Sequence, residues 1–122
     1  MSFVTVEILS KLANLTSQEA DELQYGVIRV SDEGVIELYN RYETDISKLS
    51  ALDVIGKNFF TNVAPCTNNR LFKGKFEAGV QNDLLDTSFL YTFTYCLRPT
   101  NVAIQLYRHS ESKSNWIFTQ RR

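Results

Sequence analysis

The chain has 122 residues, enough for one domain that buries its own core without disulfides or a structural metal. Its 13 Lys and Arg against 14 Asp and Glu give a formal net charge of −1, which favours neither nucleic acid nor a membrane surface as a partner. No segment reaches the roughly 18 apolar residues of a spanning helix, and none has the pattern of a signal peptide. The 2 cysteines are therefore expected to be free thiols in a cytoplasmic protein.

The first part of the chain predicts two short helices and a hairpin. Apolar residues at helical spacing in residues 6–15 predict one helix, and the capping box in residues 16–19 predicts the start of another. Residues 25–30 and 35–40 are predicted strands on either side of the polar turn 31–34. This opening helical segment is expected to cover the rest of the fold.

The second part predicts one longer helix and three strands. Phe76 and Val80 lie four residues apart within Lys73–Asn82, a helical spacing. Residues 88–97 alternate so that one face carries Phe89, Tyr91, Phe93, Tyr95 and Leu97, with Cys96 on the opposite face. Residues 102–109 and 115–120 form a further hairpin. Two strands, a helical middle and three strands predict an α+β fold with a five-stranded antiparallel sheet.

Cys66 lies just behind Pro65 in the apolar, aromatic run of residues 55–67. A thiol becomes a nucleophile as its thiolate, which needs a cation, a helix N-terminus or a general base nearby. The single histidine, His109, lies at the end of a predicted strand, and no Cys-x-x-Cys or spaced histidine cluster could bind a metal. Taken alone, Cys66 and Cys96 are more simply small buried hydrophobes, and Cys96 is assigned no role.

Tyr39 and Glu43 also have ordinary explanations when each is taken alone. Asn40 is a good N-cap, and Glu43 lies three residues on, where a carboxylate commonly reaches back to the cap. Tyr39 could be a core tyrosine whose hydroxyl bonds to some neighbour. A strand end and the first turn of the next helix can, however, aim a phenol and a carboxyl at one buried point.

From residue 3 to residue 121 the chain resembles the photoactive yellow protein family of bacterial blue-light receptors. The most specific matches are Tyr39-Asn40 with Glu43, Asp45 and Ile46; residues 54–60; residues 63–67; Gly74-Lys75-Phe76; Tyr91-Thr92-Phe93 with Tyr95; and Trp116 with Phe118. The resemblance implies a PAS fold and a single photoreceptor domain over residues 1–122. Residues 1–25 would form an N-terminal cap and residues 26–122 the PAS core.

The resemblance also implies the binding site. Cys66 would carry p-coumaric acid (4-hydroxycinnamic acid) as a thioester, and Tyr39 and Glu43 would donate hydrogen bonds to its phenolate, with Ser47 behind Tyr39. The residues expected to line this chromophore pocket are Ile28, Ile46, Phe59, Val63, Ala64, Pro65, Thr67, Phe93, Tyr95 and Leu97. Leu49 and Leu97 depart from the family, which carries an arginine and a methionine at these positions.

The function that the resemblance implies is sensory and not enzymatic. Light would isomerise the chromophore from trans to cis, Glu43 would give up its proton, and partial unfolding of the cap would signal to a downstream protein that the sequence does not name. Two other interpretations stay open. One is a pigment-free PAS module for ligand binding or dimerisation, and the other is a cysteine-dependent acyl-transfer enzyme, which the lack of an evident base near Cys66 disfavours.

Overall fold

The computed structural model describes residues 3–96 and 98–122, so Leu97, predicted to line the pocket, lies outside the described residues. One antiparallel sheet of five strands runs through the molecule in the order β2-β1-β5-β4-β3. The strands are β1 Gly26–Val30, β2 Ile36–Tyr39, β3 Asp86–Phe93, β4 Thr100–His109 and β5 Ser114–Arg121. The predicted α+β class and the five-stranded antiparallel sheet are confirmed.

Helices precede the sheet and fill the connection between β2 and β3. They are α1 Val6–Ser10, α2 Ser17–Asp21, α3 Arg41–Ser47, α4 Ala51–Val54 and α5 Lys73–Asn82, the last with the predicted bounds. Single 3-10 turns cover Leu12–Asn14 and Pro65–Thr67, and a π-helical turn covers Phe59–Val63. Within residues 3–96 and 98–122, no helix is long and apolar enough to cross a bilayer.

Side-chain caps explain why such short helices form. Thr5, Thr16, Asn40 and Ser50 each accept a hydrogen bond from a backbone N–H in the first turn of the helix that follows. At Thr16 the predicted capping box is complete, because the Glu19 carboxylate also accepts the Thr16 N–H. A cap of this kind contributes about 0.5–2 kcal/mol, which matters most where a helix has only four to seven residues.

Both faces of the sheet are covered, and β5 contributes to both because its side chains alternate. The face under residues 3–25, here called the cap face, buries Trp116 and Phe118 of β5 against the N-terminal segment. The face under α3, α4 and α5, here called the helix face, buries Ile117 of β5 in the larger core cluster. A side chain at position 119 shares the parity of Ile117 and so lies on the helix face.

The predicted strand 88–97 is wrong at both ends. β3 begins at Asp86 and ends at Phe93, where its ladder with β4 closes on Thr100. Past Phe93 the chain leaves the ladder, and the alternation of side chains ends between Tyr95 and Cys96. Cys96 was predicted to point away from the aromatic face, but it is buried in the helix-face core, the same core against which Tyr95 packs.

Candidate functional site

The N-terminus of α3 places Glu43 inside the protein. Asn40 Oδ1 accepts the Glu43 N–H at 3.3 Å and the Val27 N–H at 2.9 Å, so the cap is made by the asparagine side chain. The Asn40 N–H donates to the Val27 carbonyl instead of to Glu43. The interpretation of Glu43 as a capping carboxylate is therefore wrong, and its side chain is fully buried at 0% exposure.

Two hydroxyl groups meet the buried carboxyl of Glu43. Tyr95 donates to Oε2 at 2.7 Å, and Thr119 donates a short hydrogen bond to Oε1. Burial raises the pKa of Glu43, whereas the hydrogen bonds from Thr119 and Tyr95 act to lower it. Desolvation is the larger effect, so the site favours the neutral acid.

Tyr39 and Ser47 extend this arrangement away from Glu43. Tyr39, the last residue of β2, has its hydroxyl oxygen 2.7 Å from Ser47 Oγ and 3.1 Å from the Tyr95 hydroxyl. Burial raises the pKa of Tyr39, and the neighbouring Glu43 charge raises it further, so Tyr39 stays a phenol and a hydrogen-bond donor. Ser47, Tyr39, Tyr95, Glu43 and Thr119 thus form one buried polar chain.

Sequence reasoning missed two residues of this site, Thr119 and Gly26. The register pairs Gly26 of β1 with Thr119 of β5, and a Cβ on Gly26 would collide with Thr119 Oγ1 and with Glu43 Oε1. The carboxyl therefore occupies space that only a glycine leaves free. The available signal was the position of Thr119, which places a polar residue at an inward-facing point of β5 two residues beyond Ile117.

Cys66 lies in the turn Pro65–Thr67 and packs, partly buried, against the helix-face core. Its backbone carbonyl accepts hydrogen bonds from the Tyr91 hydroxyl and from Asn69 Nδ2. Thr67 donates its hydroxyl to the Ala64 carbonyl at 2.7 Å, which closes the turn. These contacts fix the backbone of the turn. The Cys66 thiol is not part of a disulfide.

No histidine serves the Cys66 thiol, because the single histidine of the sequence bonds elsewhere. His109 Nδ1 lies 2.7 Å from Ser112 Oγ at the β4–β5 hairpin. Across residues 3–96 and 98–122, no cluster of three or more His, Cys, Asp or Glu could hold a metal ion.

The remaining predicted pocket residues mostly belong to the helix-face core. Ile28, Phe59, Val63, Ala64 and Phe93 are buried there, Ile46 and Tyr95 pack against it from partly buried positions, Thr67 is fully buried, and Pro65 is exposed. The structure thus gathers the predicted residues that it describes on one face of the sheet, with Pro65 at its surface.

Cys96 shares this region with Cys66, although it was assigned no role. Burial raises the pKa of the Cys96 thiol to about 11, and the charges of Glu43 and Cys66 contribute to the rise. The two cysteines therefore differ in their surroundings and not in the face of the sheet that they occupy.

Comparison with known proteins identifies the family, although no family model matches the chain. Over 119 residues the chain is 39% identical to photoactive yellow protein of Halochromatium salexigens, covering 98% of this chain and 95% of that protein. The photoactive yellow protein domain of the sensor histidine kinase Ppr from Rhodospirillum centenum superposes with a TM-score of 0.86 at 38% identity, covering 92% of this chain and 98% of that one.

A more distant structure shows the fold alone. The PAS domain of the quorum-sensing receptor RpfR from Cronobacter turicensis matches with a TM-score of 0.67 at 14% identity, over 82% of this chain and 95% of that one. The predicted PAS fold and the predicted family are both confirmed. With its sheet, its inserted helices and a relative of 39% identity that it covers almost completely, the chain belongs to the photoactive yellow protein family of sensory photoreceptors.

Proposed function

We propose that this protein is a blue-light receptor that carries p-coumaric acid (4-hydroxycinnamic acid) on Cys66 as a thioester. The observation that carries the proposal is the convergence of Tyr39 and Glu43 on one hydroxyl, that of Tyr95, beside the core against which Cys66 packs. A phenol fits this donor set, since the site already accommodates the phenol of Tyr95. When bound, the group supplies absorption of blue light and a double bond that isomerises from trans to cis.

Attachment to Cys66 is an acyl transfer from an activated p-coumaroyl thioester. The Cys66 sulfur forms a bond to the acyl carbon as the carbon–sulfur bond of the donor breaks, and the proton of the Cys66 thiol ends on the departing sulfur. This exchange requires no oxidant and no metal. It occurs once per chain, so the protein acts as a receptor and not as an enzyme.

Tyr39 and Glu43 hold the phenolic oxygen as hydrogen-bond donors, with Ser47 orienting Tyr39. Glu43 can donate because burial raises its pKa and keeps a proton on the carboxyl. The pocket is lined by the residues that the family implies: Ile28, Ile46, Phe59, Val63, Ala64, Pro65, Thr67, Phe93, Tyr95 and Leu97.

Light changes the charge of Glu43, whose proton would pass to the phenolate oxygen that it holds as this oxygen moves away. An ionised carboxylate without sufficient partners costs several kcal/mol in a buried site, and the whole domain is stable by only about 5–15 kcal/mol. Asn40, the cap of the helix that carries Glu43, donates to the carbonyls of Ala20 at 2.8 Å and Tyr25 at 2.9 Å. This link supports the cap, residues 1–25, as the part that opens while the PAS core, residues 26–122, keeps its fold.

The opened cap presents a new surface to a downstream signalling protein in the cytoplasm. A solved relative of this chain is a domain of a sensor histidine kinase, which makes a kinase the class of partner to test first. The formal charge of −1 argues against nucleic acid or a membrane surface in this role.

The test is to incubate the purified protein with an activated p-coumaroyl thioester. We expect the wild-type protein to gain one acyl mass on Cys66 and a visible absorption band. Cys66→Ala should lose both, and Cys96→Ala is the matched control that should keep both. An acyl group mapped to Cys96, or a protein that stays colourless, would contradict the proposal and favour the pigment-free PAS module.

A further inference from the structure

The Tyr95 hydroxyl lies at the point where two of the proposed chromophore donors meet. Its oxygen is 3.1 Å from the Tyr39 hydroxyl and 2.7 Å from Glu43 Oε2. These are the two side chains that the proposed function assigns to the phenolic oxygen of the chromophore. A second phenolic oxygen cannot bond to both of them while that of Tyr95 is in place.

Taking Tyr95 as the donor to Glu43 fixes the direction of the rest of the buried polar chain. Each hydroxyl has one hydrogen, and Tyr95 gives its hydrogen to Glu43, so Tyr39 must donate to Tyr95. Ser47 then donates to Tyr39, and its own oxygen accepts the Leu49 N–H at 3.2 Å. All the hydroxyl donors therefore point toward Glu43. In this arrangement the Tyr95 hydroxyl accepts a hydrogen bond from Tyr39 and donates one to Glu43.

Tyr95 is held by side-chain contacts and is not part of the sheet ladder. The β3–β4 ladder closes at Phe93 and Thr100, so Tyr95 lies in the connection beyond the last pair. Its ring packs edge-on against Phe59, with centroids 6.1 Å apart, and Phe93, with centroids 5.1 Å apart. Displacing its hydroxyl costs one aromatic side chain's contacts and two hydrogen bonds, without breaking the sheet.

We propose that Tyr95 is a resident phenol: in the pigment-free protein its hydroxyl holds the position that the chromophore's phenolic oxygen takes after Cys66 is acylated. Loading of the pocket displaces this hydroxyl, and the same position binds a small para-substituted phenol when the Tyr95 side chain is removed. The inference rests on the proposed function for the identity of the incoming group. The binding of a small phenol in place of the Tyr95 side chain concerns the pigment-free protein alone and does not depend on that function.

The first experiment uses pigment-free Tyr95→Ala protein and p-cresol, which has the size and chemistry of the missing side chain. We expect saturable binding by calorimetry and a higher melting temperature, with p-cresol binding about tenfold tighter than toluene, the change expected from a buried hydrogen bond. Adding Tyr39→Phe should reduce this advantage over toluene. Tyr107→Ala, which removes a tyrosine that packs on the cap face, is the matched control and should bind neither ligand at this site.

The second experiment keeps the fold intact and decides the question if Tyr95→Ala does not fold. In wild-type protein the Tyr95 hydroxyl proton should give a slowly exchanging NMR signal, assigned by its loss in Tyr95→Phe, that shifts or disappears when Cys66 is acylated. Equal binding of p-cresol and toluene, or a Tyr95 hydroxyl signal unchanged by loading, would overturn the inference. Failure of Cys66 to accept the acyl group would instead contradict the proposed function and leave the p-cresol result standing.

Discussion

The two faces of the sheet are both buried, but they are held by different kinds of interaction. The cap face is covered by two helices of five residues each and a 3-10 turn, and α1 buries none of its residues. The helix face contains the buried polar chain, whose members are all hydrogen-bonded. Directional bonds thus surround the carboxyl whose charge is proposed to change, while mainly apolar packing holds the segment that is proposed to open.

Tyrosine hydroxyls show the same contrast. The Tyr39 hydroxyl on the helix face has two hydrogen-bond partners. The Tyr25 hydroxyl on the cap face is buried, and in residues 3–96 and 98–122 it is without one. Burying such a group without a partner costs about 1–3 kcal/mol. The cap face therefore carries an unfavourable contribution that the helix face avoids.

Gly26→Ala should have the largest effect, and it should fall on the helix face. The added Cβ collides with Thr119 Oγ1 and Glu43 Oε1, so overpacking and the loss of carboxyl hydrogen bonds together should lower the free energy of unfolding by about 4 kcal/mol. Denaturant unfolding measures the loss. Gly74→Ala is the control, because its Cβ would meet only ordinary contacts at 3.6 Å or more. Equal stability of the two variants would show that Glu43 is not held against Gly26.

Asn40→Ala should affect both faces, because Asn40 caps α3 and bonds to the carbonyls of Ala20 and Tyr25. We expect a loss of about 3 kcal/mol from the cap and from buried backbone groups left without partners. Hydrogen exchange should rise in residues 3–25. Asn40→Asp keeps the oxygen acceptor and loses the two donors, so it should open the cap while α3 stays protected. Unchanged hydrogen exchange in residues 3–25 of both variants would show that Asn40 does not link the cap face to the helix face.

Glu43 should make the stability of the pigment-free protein fall as pH rises. Its pKa is raised above the ordinary value of 4.5 by burial, so the folded state binds more protons than the unfolded state above that pH. The contribution of protonated Glu43 to the free energy of unfolding is fully present below about pH 4.5. It is lost as the pH rises toward the raised pKa, by up to about 1.4 kcal/mol per pH unit. Glu43→Gln should remove this dependence. The free energies of unfolding of wild type and Glu43→Gln are compared from pH 4 to 8. A difference that does not change with pH would show that the pKa of Glu43 is not raised.

Paired tyrosine substitutions should give the smallest effects and the cleanest comparison of the faces. Tyr39→Phe removes a hydroxyl with two partners and should cost about 1–2 kcal/mol, whereas Tyr25→Phe removes a hydroxyl without one and should be neutral or slightly stabilising. Thermal unfolding of both variants under identical conditions provides the measurement. A larger loss of stability for Tyr25→Phe than for Tyr39→Phe would contradict the expected difference between the two faces.

The elements that could be predicted are those whose signals are local. The capping box at Thr16 and the helical spacing of Phe76 and Val80 lie within a few residues of the structure they specify. The end of β3 could not be predicted in this way. Aromatic alternation continues in the sequence through Tyr95, whereas the strand ends where Phe93 pairs with Thr100. That pairing depends on the path of the chain into β4.

The residues of the candidate site also differ in whether a local sequence signal could predict them. Tyr39, Glu43 and Ser47 lie on a strand end and the helix that follows, so the sequence keeps them close and the resemblance pointed to them; their roles stay predictions. Thr119 and Gly26 enter through the register between β1 and β5, which brings together residues 93 positions apart in the numbering. No local pattern specifies that register, and only the folded sheet shows that the glycine makes room for the carboxyl.

The environment of Cys96 also bears on how a chain with two cysteines on one face of the sheet would be acylated at only one of them. Burial raises the pKa of the Cys96 thiol to about 11, so this sulfur is rarely the thiolate that attacks a thioester near pH 8. Selectivity for one acylation site would then be kinetic, and it would weaken as the pH is raised. A loading reaction carried out well above pH 8 should begin to produce doubly acylated protein.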